Sequence, residues 1–596
     1  MTLDSYVELC FDGRYNDVHR PVRALLTDEI FDPRAGLTAN ENGRLAYERA
    51  RFVGRHSVRP TAAASDIYQL CALAEWPGLC DVSVFSILMV HYNLMVATVV
   101  DRMRPNEYVT PMLAELDEFK SFGPYLATEL GYGNNVANLQ TTATYDAETR
   151  EFVLHTPGTL ASKHMSYSGF SDIPKIAVVL ARTIVGGRDH GVFPFLVRLT
   201  TTEGAVAGIR TAACPEKPVQ GLDNGITQFE EHRVPEQAWL SRGLATLSAD
   251  GEFVAEMANP RRRFLASMSR IFPGRLCVSS AALGASKAAL YIALRFSSAR
   301  LTSAPGSKPR AVRAHLPYRA QLYPAVAITY ALTAQLNALK ARYEVNPTDL
   351  ALQTEISATK AVITLVVQDI VMTCRERCGA QGIFAVNRII DYISLVQGLV
   401  TAEGDSQVLL ATAAGQQLAS DHEQIDPSAH PVRLPVLELL ARRTDLAAKR
   451  YHETRASEDA ATTAFDGINQ AAPIALDFGR FWILERSIET LLDRAASLAD
   501  AHAQDVILRI AELVAVSELV RDPLDLMADG AVQPDVPAQW RDRIFQLCDH
   551  LDPEIDQLIG AFGFTPELLR APIAEADYAT AFLNHCVGTA TTAFTR

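Results

Sequence analysis

The hydrophobic period changes twice along the chain, and any fold proposed for it must honour both changes. Residues 1 to about 122 carry apolar positions at helical spacing, as in 67–73 and 82–103, with Pro and Gly at the joints. Near Gly123 the pattern turns into short β-prone runs (140–145, 151–155, 175–181, 192–199), separated by Asp146-Ala147-Glu148-Thr149 and Gly186-Gly187-Arg188-Asp189. From Arg261 helical spacing returns and persists nearly to the end, with apolar stretches at 276–296, 323–341 and 356–374. A length of 596 residues exceeds what one core can organise. The pattern therefore predicts an α+β protein, mainly α, in four parts. These are an N-terminal helical domain over 1–122, a central β-barrel-like domain over 123–258, and C-terminal helical bundles over 259–432 and 433–596. A charged segment with Pro427, Pro431 and Pro435 marks the joint before the last.

A formal net charge of -14 argues against general nucleic-acid binding, which draws on basic surfaces. It does not exclude a phosphorylated ligand held by a few Arg side chains. Residues 82–100 could just span a bilayer at roughly 20 residues, but they include His91 and Asn93 and are expected as a core helix, with no membrane span. The nine cysteines lack regular spacing and suit a reducing compartment. The first residues carry neither a basic nor an apolar leader region, and Thr592-Ala593-Phe594-Thr595-Arg596 is not a Ser-Lys-Leu address. A soluble, cytoplasmic protein is expected.

Common catalytic signatures are missing: there is no dinucleotide or P-loop glycine pattern, no HExxH and no GxSxG. Cys374 and Cys378 share a helix face at i and i+4, but no second pair stands near them in sequence, so buried thiols and no metal are expected. What remains is a series of short segments in fixed order. Thr128-Glu129-Leu130-Gly131-Tyr132-Gly133-Asn134-Asn135 precedes Leu139-Gln140-Thr141-Thr142-Ala143-Thr144-Tyr145-Asp146. Ala177-Val178-Val179-Leu180-Ala181, Gly191-Val192-Phe193-Pro194-Phe195, Asp223-Asn224-Gly225 and His232-Arg233-Val234-Pro235 follow. In the helical part come Ala293-Leu294-Arg295-Phe296-Ser297-Ser298-Ala299-Arg300 and Gln321-Leu322-Tyr323-Pro324. Last are Cys374-Arg375-Glu376-Arg377-Cys378-Gly379-Ala380-Gln381-Gly382 and Thr401-Ala402-Glu403-Gly404-Asp405-Ser406.

In order and spacing these segments resemble the peroxisomal-type acyl-CoA oxidases of the acyl-CoA dehydrogenase/oxidase flavoprotein superfamily, over roughly residues 60 to 430. The resemblance implies FAD as cofactor and an α,β-dehydrogenation of an acyl-CoA thioester to a trans-2-enoyl-CoA, as in fatty-acid β-oxidation. It implies that Glu403 removes the α-proton and that O2 reoxidises the flavin to give H2O2. Thr128, Gly133, Ser168, Gly169, Arg300, Gln321 and Gly379 fall at cofactor-binding positions, with Arg300 on the dinucleotide phosphate, a task to which a guanidinium fork is suited. A homodimer is also implied. Two segments depart from the family. Its WWPGG reads Met165-Ser166-Tyr167-Ser168-Gly169 here, and its GGHGY reads Gly379-Ala380-Gln381-Gly382-Ile383. These departures leave open a carrier-protein-bound acyl or aminoacyl thioester as substrate, or a flavin monooxygenase on the same fold.

Overall fold

The computed structural model describes residues 2–34, 36–217, 221–303, 305–420, 434–456 and 464–589. They form two compact units, Asp28–Cys277, and Met1–Thr27 together with Val278–Arg596. The joint marked by Pro427 and Pro431 lies outside the described residues.

Within Asp28–Cys277, short helices precede the strands, and polar side chains start them. Thr38 and Glu41 make a reciprocal capping box at the head of helix Ala39–His56. Asp66 and Asp81 cap helices Ile67–Glu75 and Val82–Met89. The last continues through a wider π-helical stretch, Val90–Val96, into Ala97–Arg102. His91 sits in that stretch, fully buried. Its Nδ1 accepts from the Gly123 N–H at 2.9 Å, which leaves Nε2 to donate to the Leu116 carbonyl at 3.1 Å. Burial pushes its pKa down to about 4, so the ring is neutral.

The strands follow in the order β1 (Tyr125–Leu126), β2 (Thr142–Asp146), β3 (Glu151–His155), β4 (Lys163–Tyr167), β5 (Lys175–Val185), β6 (Arg188–Thr201), β7 (Gly204–Ala205), β8 (Ile209–Ala213), β9 (Asn224–Phe229) and β10 (His232–Pro235). The expected barrel-like domain takes the form of a seven-stranded sheet, β10-β3-β2-β5-β6-β7 with β1 on β5, beside a three-stranded sheet, β4-β9-β8. Gly186 and Gly187, both at positive φ, close the β5–β6 hairpin in two residues. β5 is apolar along most of its length because both of its faces are covered. Ala177, Val179 and Ala181 join a core with Phe152, Phe195 and Trp239. Ile176, Val178 and Leu180 join a second core with Val96, Val99 and Leu116.

In the other unit, long helices pack side by side: Ile271–Ala299, which crosses the unit boundary, Leu316–Val345, Leu350–Arg377, Ile389–Thr401, Ser406–Ala419, Pro435–Ala456, Ala464–Ser497, Ala501–Arg521 and Val536–Leu551. Two features differ from the boundaries read from sequence. The C-terminal helices form one packed body, tied by a polar relay in which Thr490 donates to Gln335 at 2.9 Å and Gln335 to Glu355 at 2.8 Å. The first 27 residues also belong to this body and not to an N-terminal domain over 1–122. Thr2 donates to Asp500 at 2.9 Å, and Asn337 donates to the Leu9 carbonyl at 3.2 Å.

Among the described residues three helical stretches, Val82–Arg102, Pro260–Ala299 and Leu350–Arg377, are long and apolar enough to cross a membrane. Their apolar windows are 83%, 100% and 72% buried within the chain.

Glu485, on helix Ala464–Ser497, is buried and accepts from Thr444 Oγ1 at 2.9 Å. Burial pushes its carboxyl up to about 8, against the ordinary 4.5. Between these values the unfolded chain has released the proton and the folded chain retains it, so stability falls as pH rises from about 4.5 to about 8. Glu485→Gln keeps the acceptor and removes the charge. In urea titrations the variant should match the parent near pH 4.5 and exceed it at pH 8 by on the order of a few kcal/mol.

Candidate functional site

The proposed base stands where two helices meet. Helix Ile389–Thr401 ends as the Ala402 N–H returns to the Gly398 carbonyl. Glu403 then turns left-handed at φ 56°, and Gly404 follows at φ 108°. The first value is unfavourable by about 1–2 kcal/mol for a side-chain-bearing residue, whereas the second is essentially restricted to glycine. Asp405 starts helix Ser406–Ala419, accepting from the N–H groups of Gln407 and Val408 at 3.0 and 3.2 Å. Glu403 is half-buried. Beneath the turn lies Lys360, fully buried on helix Leu350–Arg377. Its Nζ donates to the Val400 carbonyl (3.2 Å), the Gly404 carbonyl (2.8 Å) and Ser406 Oγ (3.1 Å).

Arg300 is the first residue beyond helix Ile271–Ala299, and its guanidinium is exposed. Its carbonyl accepts from the Val312 N–H at 2.9 Å, and its guanidinium lies 5.8 Å from the centroid of the Phe296 ring. Gly379 opens the turn Gly379–Ile383 at φ 59°, and a Cβ placed on it would stand 3.6 Å from Arg300 Nη1. The structure thus brings these two predicted residues together. Gln321 is exposed on helix Leu316–Val345. Three residues beyond Gly379, a Cβ on Gly382 would fall 2.2 Å from the Arg375 carbonyl oxygen. Where the family has His, Gln381 is engaged: its carbonyl and Oε1 accept from Asn387 Nδ2 at 2.9 and 3.0 Å. Cys374 and Cys378 are buried free thiols, and burial pushes Cys378 up to about 12 with the Arg300 charge opposing. Among the described residues no group of His, Cys, Asp and Glu is placed to hold a metal ion.

The remaining candidates lie in Asp28–Cys277. Thr128 and Gly133 are exposed on the loop between β1 and β2. That loop is rooted by Glu129, which is buried. Its carboxylate accepts from Lys163 Nζ (3.0 Å), the Thr141 N–H (2.9 Å), Thr141 Oγ1 (2.6 Å) and the Gln140 N–H (2.7 Å). Lys163 is itself fully buried and also donates to the Leu180 carbonyl at 2.7 Å. Burial brings its pKa down to about 8, with the Glu129 charge working the other way. Ser168 is buried between strands, accepting from Thr227 Oγ1 at 2.9 Å, so its hydroxyl is engaged within the sheet. Gly169 is bound to the neighbouring strand, its N–H donating to the Asp223 carbonyl at 2.8 Å; a Cβ there would meet that oxygen at 2.9 Å. Asp223 accepts from Tyr47 Oη (2.7 Å), from the Phe170 N–H (3.0 Å) and from the fully buried Lys175. Met165, at φ 60° in a β4 bulge, is turned outward and 53% exposed.

Lys360, Lys163 with Glu129, and Lys175 with Asp223 are the residues that sequence reasoning missed as supports. The available signal was a charged residue inside an otherwise apolar or β-prone run, as in Ala358-Thr359-Lys360-Ala361-Val362.

Two glycine substitutions separate the demands of the fold from those of a ligand. A Cβ on Gly133 would meet no atom within 4 Å, and its φ is not positive. Gly133→Ala should leave thermal or urea stability within about 0.5 kcal/mol of the parent. Gly382→Ala forces a backbone shift and should destabilise by about 1–3 kcal/mol in the same assay.

Sequence models of two domains match this chain: "Acyl-CoA oxidase, C-alpha1 domain" over residues 269–418 and "Acyl-CoA oxidase" over 436–577. Among curated proteins, Acyl-coenzyme A oxidase 3, peroxisomal, of Arabidopsis thaliana is 27% identical over 535 residues, covering 84% of this chain and 78% of the relative. Among solved structures, acyl-CoA oxidase 1 from Yarrowia lipolytica superposes with a TM-score of 0.85 at 19% identity, covering 100% of this chain and 93% of that one. Acyl-CoA oxidase-2 of Caenorhabditis elegans, solved with FAD, ascaroside-CoA and ATP, superposes with a TM-score of 0.83 at 18% identity, covering 99% and 94%. The ordered motifs, the fold and these matches agree: residues 269–418 and 436–577 carry domains of the acyl-CoA oxidase family.

Proposed function

We propose that this chain catalyses the α,β-dehydrogenation of a saturated acyl-CoA to its trans-2-enoyl-CoA, with Glu403 as the base. The observation that carries the reading is the Glu403 turn. The chain holds a carboxylate on a left-handed residue between two helix ends, where glycine would be easier to accommodate. A side chain retained against that preference is one the turn exists to present. A carboxylate in partly desolvated surroundings is suited to accept the α-proton, since loss of water favours its protonated form.

The residues fit FAD as cofactor. Arg300 offers an exposed fork of donors beside Gly379, and that chemistry suits a pyrophosphate. The loop of Thr128 and Gly133 offers a hydroxyl and backbone that no side chain at 133 covers. Ser168 is proposed to act through the main chain of the Ser168-Gly169 segment, because its hydroxyl already serves Thr227. The solved Caenorhabditis elegans protein bound with FAD and ascaroside-CoA supports the same reading. When bound, FAD supplies the acceptor for the β-hydride and passes the electrons to O2 as H2O2. A homodimer in the cytoplasm is proposed as the working form, and the buried thiols of Cys374 and Cys378 are consistent with a reducing compartment.

Three outcomes test the proposal. Anaerobic addition of a saturated acyl-CoA should bleach the flavin absorbance, and air should restore it with release of H2O2. Glu403→Gln should keep its FAD and bleach about 10³-fold more slowly; parental bleaching in that variant would refute the assignment of the base. Arg300→Ala should weaken FAD retention by about 10- to 100-fold, read by fluorescence on dilution. An FAD-bearing protein that no acyl-CoA bleaches would redirect the search to carrier-bound thioesters.

A further inference from the structure

A lysine inside a helical core has to find an acceptor for each of its protons, because an unpaired ammonium out of water is prohibitively unfavourable. Lys360 has three acceptors that lie in one direction. The three acceptors described for it are the Val400 carbonyl, the Gly404 carbonyl and Ser406 Oγ. The first lies in the last turn of helix Ile389–Thr401, and the third is the first residue of helix Ser406–Ala419. The second is the residue immediately after Glu403. All three therefore belong to the few residues that bracket Glu403, and they come from both sides of it.

The contacts also close on themselves. Ser406 Oγ donates back to the Val400 carbonyl at 2.8 Å, so the two helix ends are joined to each other as well as to the lysine. Thr364, one helical turn beyond Lys360, meets Ser406 Oγ at 2.8 Å and braces it. A cation placed against the last carbonyls of a helix is favoured by the helix dipole. Asp405 caps the following helix on its own, so the lysine is not required to start it. What the ammonium adds is a fixed distance between the two helix ends and a fixed orientation of the peptide between Gly404 and Asp405, next to Glu403.

We propose that Lys360 is a positioning residue for proton abstraction: by clamping Val400, Gly404 and Ser406 it fixes the angle at which the Glu403 carboxylate is presented. The assignment rests on Glu403 being the base. Without the clamp the turn can relax from its left-handed conformation, and the carboxylate is displaced while the groups proposed to hold the cofactor, Arg300 and Gly379, stay in place.

The test uses the FAD-loaded protein and anaerobic bleaching by a saturated acyl-CoA, run in parallel with the same thioester deuterated at the α-carbon. Lys360→Met keeps the length of the stem and removes the donors. It should retain FAD and half-saturate with acyl-CoA within about threefold of the parent, yet bleach about 100-fold more slowly, the loss expected of a reacting group displaced by about 1 Å. Its α-deuterium isotope effect should rise, because proton abstraction becomes more fully rate-limiting. Loss of folded protein would lower the amplitude and leave that ratio unchanged. Ser406→Ala, a smaller change, should slow bleaching about fivefold with the same rise in isotope effect.

A Lys360→Met protein that bleaches at the parental rate overturns the proposal, as does one whose slower rate comes with an unchanged isotope effect. If that variant does not fold, Ser406→Ala decides, and parental behaviour there overturns the proposal. Glu403→Gln separates the two levels. Full activity in it removes the base and the clamp together, whereas loss of activity in it beside a normal Lys360→Met protein removes the clamp alone.

Discussion

An ammonium group cannot be left unpaired in a protein interior, and this constraint organises the molecule around its candidate site. Lys163, Lys175 and Lys360 are all fully buried. Each lies beneath a stretch of chain that the sequence singled out. Lys163 with Glu129 underpins the loop of Thr128, Lys175 with Asp223 underpins Ser168-Gly169, and Lys360 underpins Glu403. Segments that would otherwise be surface loops acquire the rigidity of the core by this means, at the expense of desolvating a charge. The three differ in what they face. Two meet a carboxylate, so their charge is balanced locally. Among the acceptors of Lys360 are three neutral oxygens around the turn where a carboxylate is proposed to take up a proton.

Much of this was legible in the sequence because it depends on local patterns. The change to short β-prone runs near Gly123 pointed to the strands, and Gly186-Gly187, both at positive φ, to a hairpin turn. The ordered motifs led to Glu403, Arg300 and Gly379, and the last two are adjacent in the fold. What could not be read depends on partners distant in sequence. Ser168 falls at a cofactor position in the motif, but whether its hydroxyl points outward is settled by Thr227, 59 residues away. Gly225, legible only as part of the Asp223-Asn224-Gly225 segment, has no room for a Cβ because one would stand 2.4 Å from the Ser168 hydroxyl. Lys360 looked like an ordinary helix residue, since its acceptors lie 40 to 46 positions on. The sequence boundary at residue 122 likewise assumed that neighbours in the chain are neighbours in space, and the first 27 residues are not.

That last feature has a consequence for how the protein is made. Unit Asp28–Cys277 is a single run of chain and has all its parts once residue 277 has left the ribosome. The other unit does not. Thr2 bonds to Asp500, Arg23 Nε donates to the Gly563 carbonyl at 2.7 Å, and Arg570 Nη1 donates to the Leu26 carbonyl at 2.8 Å. Translation proceeds at about 5–20 residues per second, so the first helix waits on the order of half a minute to two minutes for the segments it binds. Throughout that interval Tyr6, Leu9, Cys10 and Phe11, all buried in the finished protein, are exposed on a nascent chain. A segment synthesised before Asp28–Cys277 is thus placed after it. A ribosome that stops short of residue 563 releases a chain whose β-bearing unit has every residue it needs and in which Arg23 has lost its acceptor.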